Sequence, residues 1–243
     1  MVGKYRTLEE FRGRYKDKEI WIVGPGPSFH DYPCDFFKDK IIITLNYMCL
    51  ALPKSKFFFT NHQSVVEEAR RKIPNCLEKF ICCYLPDPND PARYNPKKNL
   101  FGLGDVGSEM IYVPWERDPV PDRKSIFEKM AQNLLQFQNQ SIYILMWSAI
   151  AHGAIEIAIF LGANQITLAG CDEQLRGNVL EAPESGRFST VISRYKTFKE
   201  FRKEIEITFQ EMRSGTKWLT EIFSNYGIKI QKYLYNEGYR RII

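Results

Sequence analysis

EIWIVGPGPS, from Glu19 to Ser28, decides how the rest of the chain is read. Its apolar run, Ile20–Val23, is short and passes at once into turn residues. That is the pattern of a central parallel strand, buried on both faces, leaving the sheet through a tight loop. Gly24 and Gly26 carry no Cβ, so another group can lie directly on the backbone there. Pro25 and Pro27 fix φ and remove two N–H donors. The N–H groups of Gly26, Ser28 and Phe29, with the Ser28 hydroxyl, are then the candidate donors to a phosphate. The same features also suit a rigid strand exit that holds no ligand.

Two common phosphate loops are excluded by the surroundings. The dinucleotide fingerprint needs a third glycine and an acidic residue ending the second strand. Phe29 occupies the glycine position, and the next strand, Ile41–Leu45, ends in Asn46. A Walker loop needs Gly-Lys-Ser/Thr, and that tripeptide does not occur.

Outward from the loop, strand and helix patterns alternate. Further strands are expected at Lys56–Thr60, Lys79–Leu85, Met110–Trp115, Gln165–Ala169 and Lys229–Leu234. Helices are expected at Thr7–Tyr15, where Thr7 and Glu10 form a capping box, and at Ser64–Ile73, where Ser64 and Glu67 do the same. Arg123–Phe137 and Trp147–Leu161 follow, the latter strongly apolar. Val191–Arg213 and Thr216–Tyr226 read as two helices broken near Ser214 and Gly215, and the end of the chain, Tyr239–Ile243, as a frayed tail. The economical fold is α/β: one domain, residues 1–243, with a mainly parallel sheet flanked by helices. Residues 86–108 read as a loop or lid insertion, and 173–190 as a second mobile loop.

The totals narrow the function classes. The chain has 243 residues, and 34 basic against 29 acidic side chains leave a charge of +5. That mild excess suits anionic ligands, but no dense Lys/Arg run points to nucleic acid. Six cysteines follow no zinc spacing, and reduced thiols in a cytoplasmic protein are the expectation. The longest apolar stretch, Ser141–Gly162, is interrupted by His152 and Glu156, so no membrane span is expected. The N-terminus lacks the apolar core of a signal peptide. Arg194–Arg202 and the basic tail are candidate contacts for an anionic membrane face or a lipid-linked acceptor.

In an open parallel sheet, ligands bind beyond the carboxyl ends of the strands. Those ends offer Gly24, Gly26 and Ser28, then Asn46, then Thr60, Asn61 and His62, and finally Gly170, Asp172 and Glu173. Each is an ordinary turn residue alone. Together they favour a polar pocket, and asparagine amides suit ribose hydroxyls and base edges because they both donate and accept.

GPGPS after strand one, Asn46, Asn61 and the segment AIAHGAIEIAIFLGANQITLAGCD, Ala149–Asp172, resemble one superfamily. It joins bacterial lipooligosaccharide sialyltransferases (glycosyltransferase family 42-like) to MptE-like, or DUF115, Rossmann-like proteins. The resemblance covers about Ile20–Asp172 and the closing helix and strand. It implies a Rossmann-like fold and transfer of a sugar from a nucleotide sugar, a cytidine-monophosphate sugar in the sialyltransferases, to a surface glycan or lipid-linked acceptor. It also implies a cytoplasmic enzyme at the inner membrane face, of open oligomeric state, a homo-oligomer included. Carried over, Gly26 and Ser28 would lie near the donor phosphate, at the strand exit that Gly24 opens. Asn46 and Asn61 would hold nucleotide or sugar, with Gly170 and Asp172 closing the pocket. The MptE-like pattern has a helix histidine, matched by His152, with Ser148 near its preceding small position.

The chain departs from the sialyltransferases at Pro25, where they have Asn, and at Gln174, where they have Tyr. No histidine follows His152, so the base that accepts the acceptor proton is sought among Asp172, His62, Glu173 and His30. Neither a metal nor a further cofactor is required by any residue pattern. Two alternatives stay open: an MptE-like phosphotransferase, against which Asn46 and Asn61 stand in place of acidic residues, and a nucleotide- or glycan-binding module without turnover.

Overall fold

The computed structural model describes residues 6–60, 62–84, 111–114, 128, 149–173 and 198–241. Their strands are β1 (Arg6–Thr7), β2 (Glu19–Val23), β3 (Ile42–Leu45), β4 (Phe57–Phe59), β5 (Phe80–Tyr84), β6 (Ile111–Pro114), β7 (Gln165–Ala169), β8 (Lys229–Leu234) and β9 (Gly238–Arg241). The helices are α1 (Met48–Ala51), α2 (Gln63–Lys72), α3 (Ile150–Phe160) and α4 (Phe198–Ser224). The strands form one sheet in the order β1-β6-β5-β4-β3-β2-β7-β8-β9. Every neighbouring pair is parallel except β8 and β9. This is a Rossmann-like α/β fold. From β2 the chain steps outward through β3, β4, β5 and β6, then returns to place β7 on the other side of β2. The strand order therefore reverses between β2 and β7.

Strand period two divides the core between the faces. Ile20 and Ile22 of β2, Ile43 and Leu45 of β3, Phe57 and Phe59 of β4, and Ile166 and Leu168 of β7 share one cluster with α3 and with Leu219, Ile222 and Phe223 of α4. On the other face Phe58 and Phe80 pack against Val65, Val66 and Ala69 of α2. Trp21 and Val23 pack there with Tyr32, Phe37, Ile42 and Met48. Burying each large side chain contributes about 1.5–3 kcal/mol, so these clusters are the main stabilising force.

Helix α3 is buried on nearly every side, and its two polar residues are buried with it: His152 is 0% and Glu156 2% exposed. The helix ends against Gly162 (φ +99°), whose absent Cβ would lie 2.9 Å from the Lys16 backbone. There the N–H groups of Gly13, Tyr15 and Asp17 donate to the carbonyls of Phe160, Leu161 and Gly162. Those carbonyls lack partners within a helix end, and this segment supplies them.

That docking corrects the first helix. The Thr7–Glu10 capping box is present, with Thr7 N–H donating to Glu10 Oε1 at 3.2 Å, but it heads only a 3-10 turn, Leu8–Phe11. Competition from the α3 carbonyls draws the following residues out of helix. Other differences are also tertiary. Arg6–Thr7 and Gly238–Arg241 are strands because β6 and β8 offer edges to pair with. Helix α4 runs unbroken through Ser214 and Gly215, where Ser214 Oγ donates to Gln210 O and burial outweighs the poor propensity of glycine. Helix α2 starts at Gln63 with His62 at its N-cap, and Ser64 instead accepts a bond from Tyr47 OH. Of the expected helix 123–137 only Glu128 is described, and it is helical; residues 86–108 and 174–190 lie outside the described residues.

Among the described residues no helix is long and apolar enough to cross a membrane. Cys34, Cys49, Cys76 and Cys171 are free thiols.

Candidate functional site

The reversal of strand order sets the exits of β2 and β7 side by side. Val23 pairs with Ala169, so Gly24 to Ser28 and Gly170 to Glu173 leave the sheet at the same level. The two loops interlock through backbone. Gly24 N–H donates to Ala169 O at 2.8 Å and Gly26 N–H to Gly170 O at 2.7 Å. Ser28 N–H donates to Asp172 Oδ2 at 2.7 Å. Phe29 N–H turns back to Gly26 O at 3.0 Å.

The role expected of this loop therefore changes. All three N–H groups proposed as phosphate donors already donate within the protein. A Cβ on Gly26 would lie 2.3 Å from Asp172 Oδ2 and 2.5 Å from Gly170 O. One on Gly24 would lie 2.7 Å from Gly170 O, and one on Gly170 2.3 Å from Gly24 O. The glycines make room for the opposite loop. The space a phosphate would take at Gly26 is filled by a carboxylate.

One group in this interlock is left over. Ser28 is 8% exposed, and its hydroxyl has no hydrogen-bond partner among the described residues. The 3-10 turn that carries it, Pro27–Asp31, is anchored from the other side by Tyr32, whose hydroxyl donates to Tyr233 O. Tyr32 sits among Phe29, Phe36, Phe37, Tyr233 and Tyr235, with ring centroids 5.1 to 6.3 Å away. Burial first, then the nearby Cys171 and Asp172, raise the Tyr32 pKa well above the usual phenol value, so it remains a donor.

Asn46 ends β3 in the left-handed region, φ +51°, a conformation asparagine tolerates. Its orientation follows from a chain of donors. His62 N–H donates to Thr60 Oγ1 at 3.1 Å, and Thr60 passes its hydroxyl hydrogen to Asn46 Oδ1 at 3.0 Å. The oxygen end of the amide is thereby engaged, which makes its NH₂ end the candidate group for recognition. Thr60, 2% exposed, is the fixing residue, and its signal in the sequence is its place after the run Phe57–Phe59. His62 is a partly buried N-cap residue whose side chain makes no cap hydrogen bond. Asn61 and Ser148 lie outside the described residues.

Glu173, a base candidate by sequence, is held in the framework. It adopts φ +50°, uncommon for a residue with a Cβ. Its side chain is 9% exposed and pairs with Lys232 of β8. Thr216 of α4 donates to Glu173 Oε1 at 2.6 Å, and Arg213 to the Glu173 carbonyl at 2.9 Å. The same Thr216 Oγ1 lies 3.2 Å from His152 Nε2, which is also 3.2 Å from Met212 O. With the threonine hydrogen on the carboxylate and only an acceptor at Met212, Nε2 carries the proton. Burial, the largest influence, pushes the His152 pKa down to about 4, so the ring is neutral at physiological pH. His152 thus joins α3 to α4 inside the core. Sequence reading missed Thr216 and Lys232, which became site neighbours only through the fold.

Cys171 lies between Gly170 and Asp172, its sulfur packed near Ile22 O and Ala169 O at 3.9 and 3.6 Å. Burial raises its thiol pKa to about 12, which makes it an unreactive spacer. Among the described residues no group of three or more His, Cys, Asp or Glu is arranged to hold a metal ion.

No family model, curated protein or solved structure matches this chain.

Proposed function

We propose that the chain is a nucleotide-sugar-dependent glycosyltransferase, sialyltransferase-like in its layout, whose donor binds across the carboxyl ends of β2, β3, β4 and β7. The observation that carries this reading is the unpartnered, buried Ser28 hydroxyl at the reversal of strand order, beside Asp172. Open α/β sheets bind their ligands at that place. A buried hydroxyl without a partner is unfavourable unless a ligand or water completes it. The Asn46 amide, fixed by Thr60, adds a second recognition group one strand further along. A glycan or lipid-linked acceptor would give up its proton to Asp172 or His62. Glu173 supports the loop instead, through Lys232 and Thr216.

Thermal unfolding with a panel of nucleotides and nucleotide sugars, with and without Mg²⁺, tests the reading. A ligand at 100 times its dissociation constant adds roughly 2.7 kcal/mol, a readily measured shift. Stabilisation by one nucleotide class, lost in Asn46→Ala, and release of free nucleotide when a glycan acceptor is added are the expected results. No shift with any of them overturns it. A second reading, a binding module without turnover, is favoured by the engagement of Asp172 and Glu173 within the fold. It predicts the thermal shift without nucleotide release. A response confined to nucleoside triphosphate with Mg²⁺ would instead indicate a phosphotransferase.

A further inference from the structure

The exit of β3 carries one inference about ligand chemistry, and it rests on the reading of a ligand site along the carboxyl ends of the strands. We propose that Thr60 is a positioning residue that sets specificity, by locking the Asn46 amide so that the β3 exit offers a donor and no acceptor. The ligand group placed there is an acceptor with no hydrogen of its own: a base carbonyl, an unprotonated ring nitrogen or a phosphate oxygen.

Leu45 pairs with Phe59, so Asn46 and Thr60 leave the sheet side by side, one strand away from the exit of β2. Asn46 N–H donates to Phe59 O at 3.0 Å, and the Asn46 carbonyl accepts from Cys49 N–H at 3.4 Å. Its Oδ1 accepts from the Thr60 hydroxyl at 3.0 Å. The NH₂ end is the one polar group of Asn46 for which the described residues supply no partner. Asn46 is only partly buried, so a molecule lying across the strand exits can reach it.

Thr60 decides which end of the amide faces outward. It is 2% exposed, and its oxygen already accepts the His62 N–H at 3.1 Å. Turning the amide over would make that oxygen accept a second bond and would strip the buried hydroxyl hydrogen of its acceptor. The amide is therefore held one way round. A ligand amino group at this exit would face the NH₂ donors, and a ligand hydroxyl would find no acceptor on Asn46 for its hydrogen. An acceptor atom is the group that matches.

The test is titration calorimetry with the four ribonucleosides and their 5′-monophosphates. The proteins are the wild-type chain, Asn46→Ala, Asn46→Asp, Thr60→Val, Thr60→Ser and the double variant Asn46→Ala with Thr60→Val. For a ligand that binds, Asn46→Ala is expected to lower affinity about two- to ten-fold, the worth of one neutral hydrogen bond. Asn46→Asp keeps the shape and the bond from Thr60 but turns the outward donor into an acceptor, and should bind more weakly than Asn46→Ala. Thr60→Val frees the amide to turn and should also weaken binding, while Thr60→Ser restores it. In the Asn46→Ala background Thr60→Val should cause no further loss, whereas a merely structural threonine would weaken binding equally in both backgrounds. A loss shared by nucleoside and monophosphate puts the acceptor on the nucleoside, and one confined to the monophosphate makes it a phosphate oxygen.

Wild-type affinity in Asn46→Asp would mean that the ligand donates at this exit, and would overturn the inference. Unchanged affinity in Asn46→Ala or in Thr60→Val, or an undiminished effect of Thr60→Val in the Asn46→Ala background, overturns it as well. If no nucleoside or monophosphate binds the wild-type chain, the nucleotide reading itself has failed, and this inference with it.

Discussion

Gly26 shows how a single residue can look like one device and act as another. In sequence it stands where a phosphate loop keeps a bare backbone. In the fold its bare face receives Asp172 and Gly170. Gly26→Ala must therefore push two backbones apart, since the nearest atoms, at 2.3 and 2.5 Å, include a main-chain carbonyl that cannot swing away. The expected cost is about 3 kcal/mol, read as a lower urea midpoint at unchanged slope. Thr216 is the opposite case, a residue with no motif around it. It is 1% exposed and donates to the nearly buried Glu173 carboxylate. Thr216→Val keeps the shape and deletes the donor, and should destabilise by about 1–3 kcal/mol. Thr216→Ser, which restores the hydroxyl, should recover most of that in the same denaturation experiment.

At the scale of elements, strands were more legible than helix ends. The expected strands at Gln165–Ala169 and Lys229–Leu234 have the observed limits, and the other five are recovered to within a residue or two at each end. Their alternation of buried side chains is local information. The ends of helices depend on what arrives from elsewhere, as the docking of Gly13–Asp17 on α3 shows. The end of α4 is an exception, because Gly227 supplies it directly. That glycine has φ +75° and open space around it, so only the backbone conformation opposes a side chain there. Gly227→Ala should cost about 1 kcal/mol by urea denaturation and leave ligand binding alone. Gly227→Asn should cost less, since asparagine accepts the left-handed region more readily.

The whole molecule is joined through its buried polar links as well as its core. His152, Thr216, Glu173 and Lys232 come from α3, α4, the β7 exit and β8. The links make stability depend on pH in a definite direction. The folded His152 titrates near 4, while an unfolded histidine titrates near 6.5. Between those values the unfolded chain binds a proton that the folded chain does not, so stability rises with pH. It is fully present above about 6.5 and is lost as the pH falls towards 4, by roughly 3 kcal/mol in total. Urea titrations at a series of pH values should show this slope. His152→Gln, which keeps a donor for Met212 O and Thr216, should remove it.

The sequence by itself determined the parallel α/β class, the position of most strands and the set of polar residues at their carboxyl ends. These follow from apolar periodicity and turn chemistry within a few residues of each position. Only the tertiary structure decided which of those polar groups are still available. Asp172 closes on Ser28 across 144 residues of chain, and Lys232 reaches Glu173 across 59. A donor's availability depends on whichever acceptor the fold sets beside it, and that acceptor comes from a distant part of the chain. The glycine turn therefore sits at the strand exits as expected, but its N–H groups are engaged, two by the neighbouring loop and that of Phe29 by Gly26 within the turn.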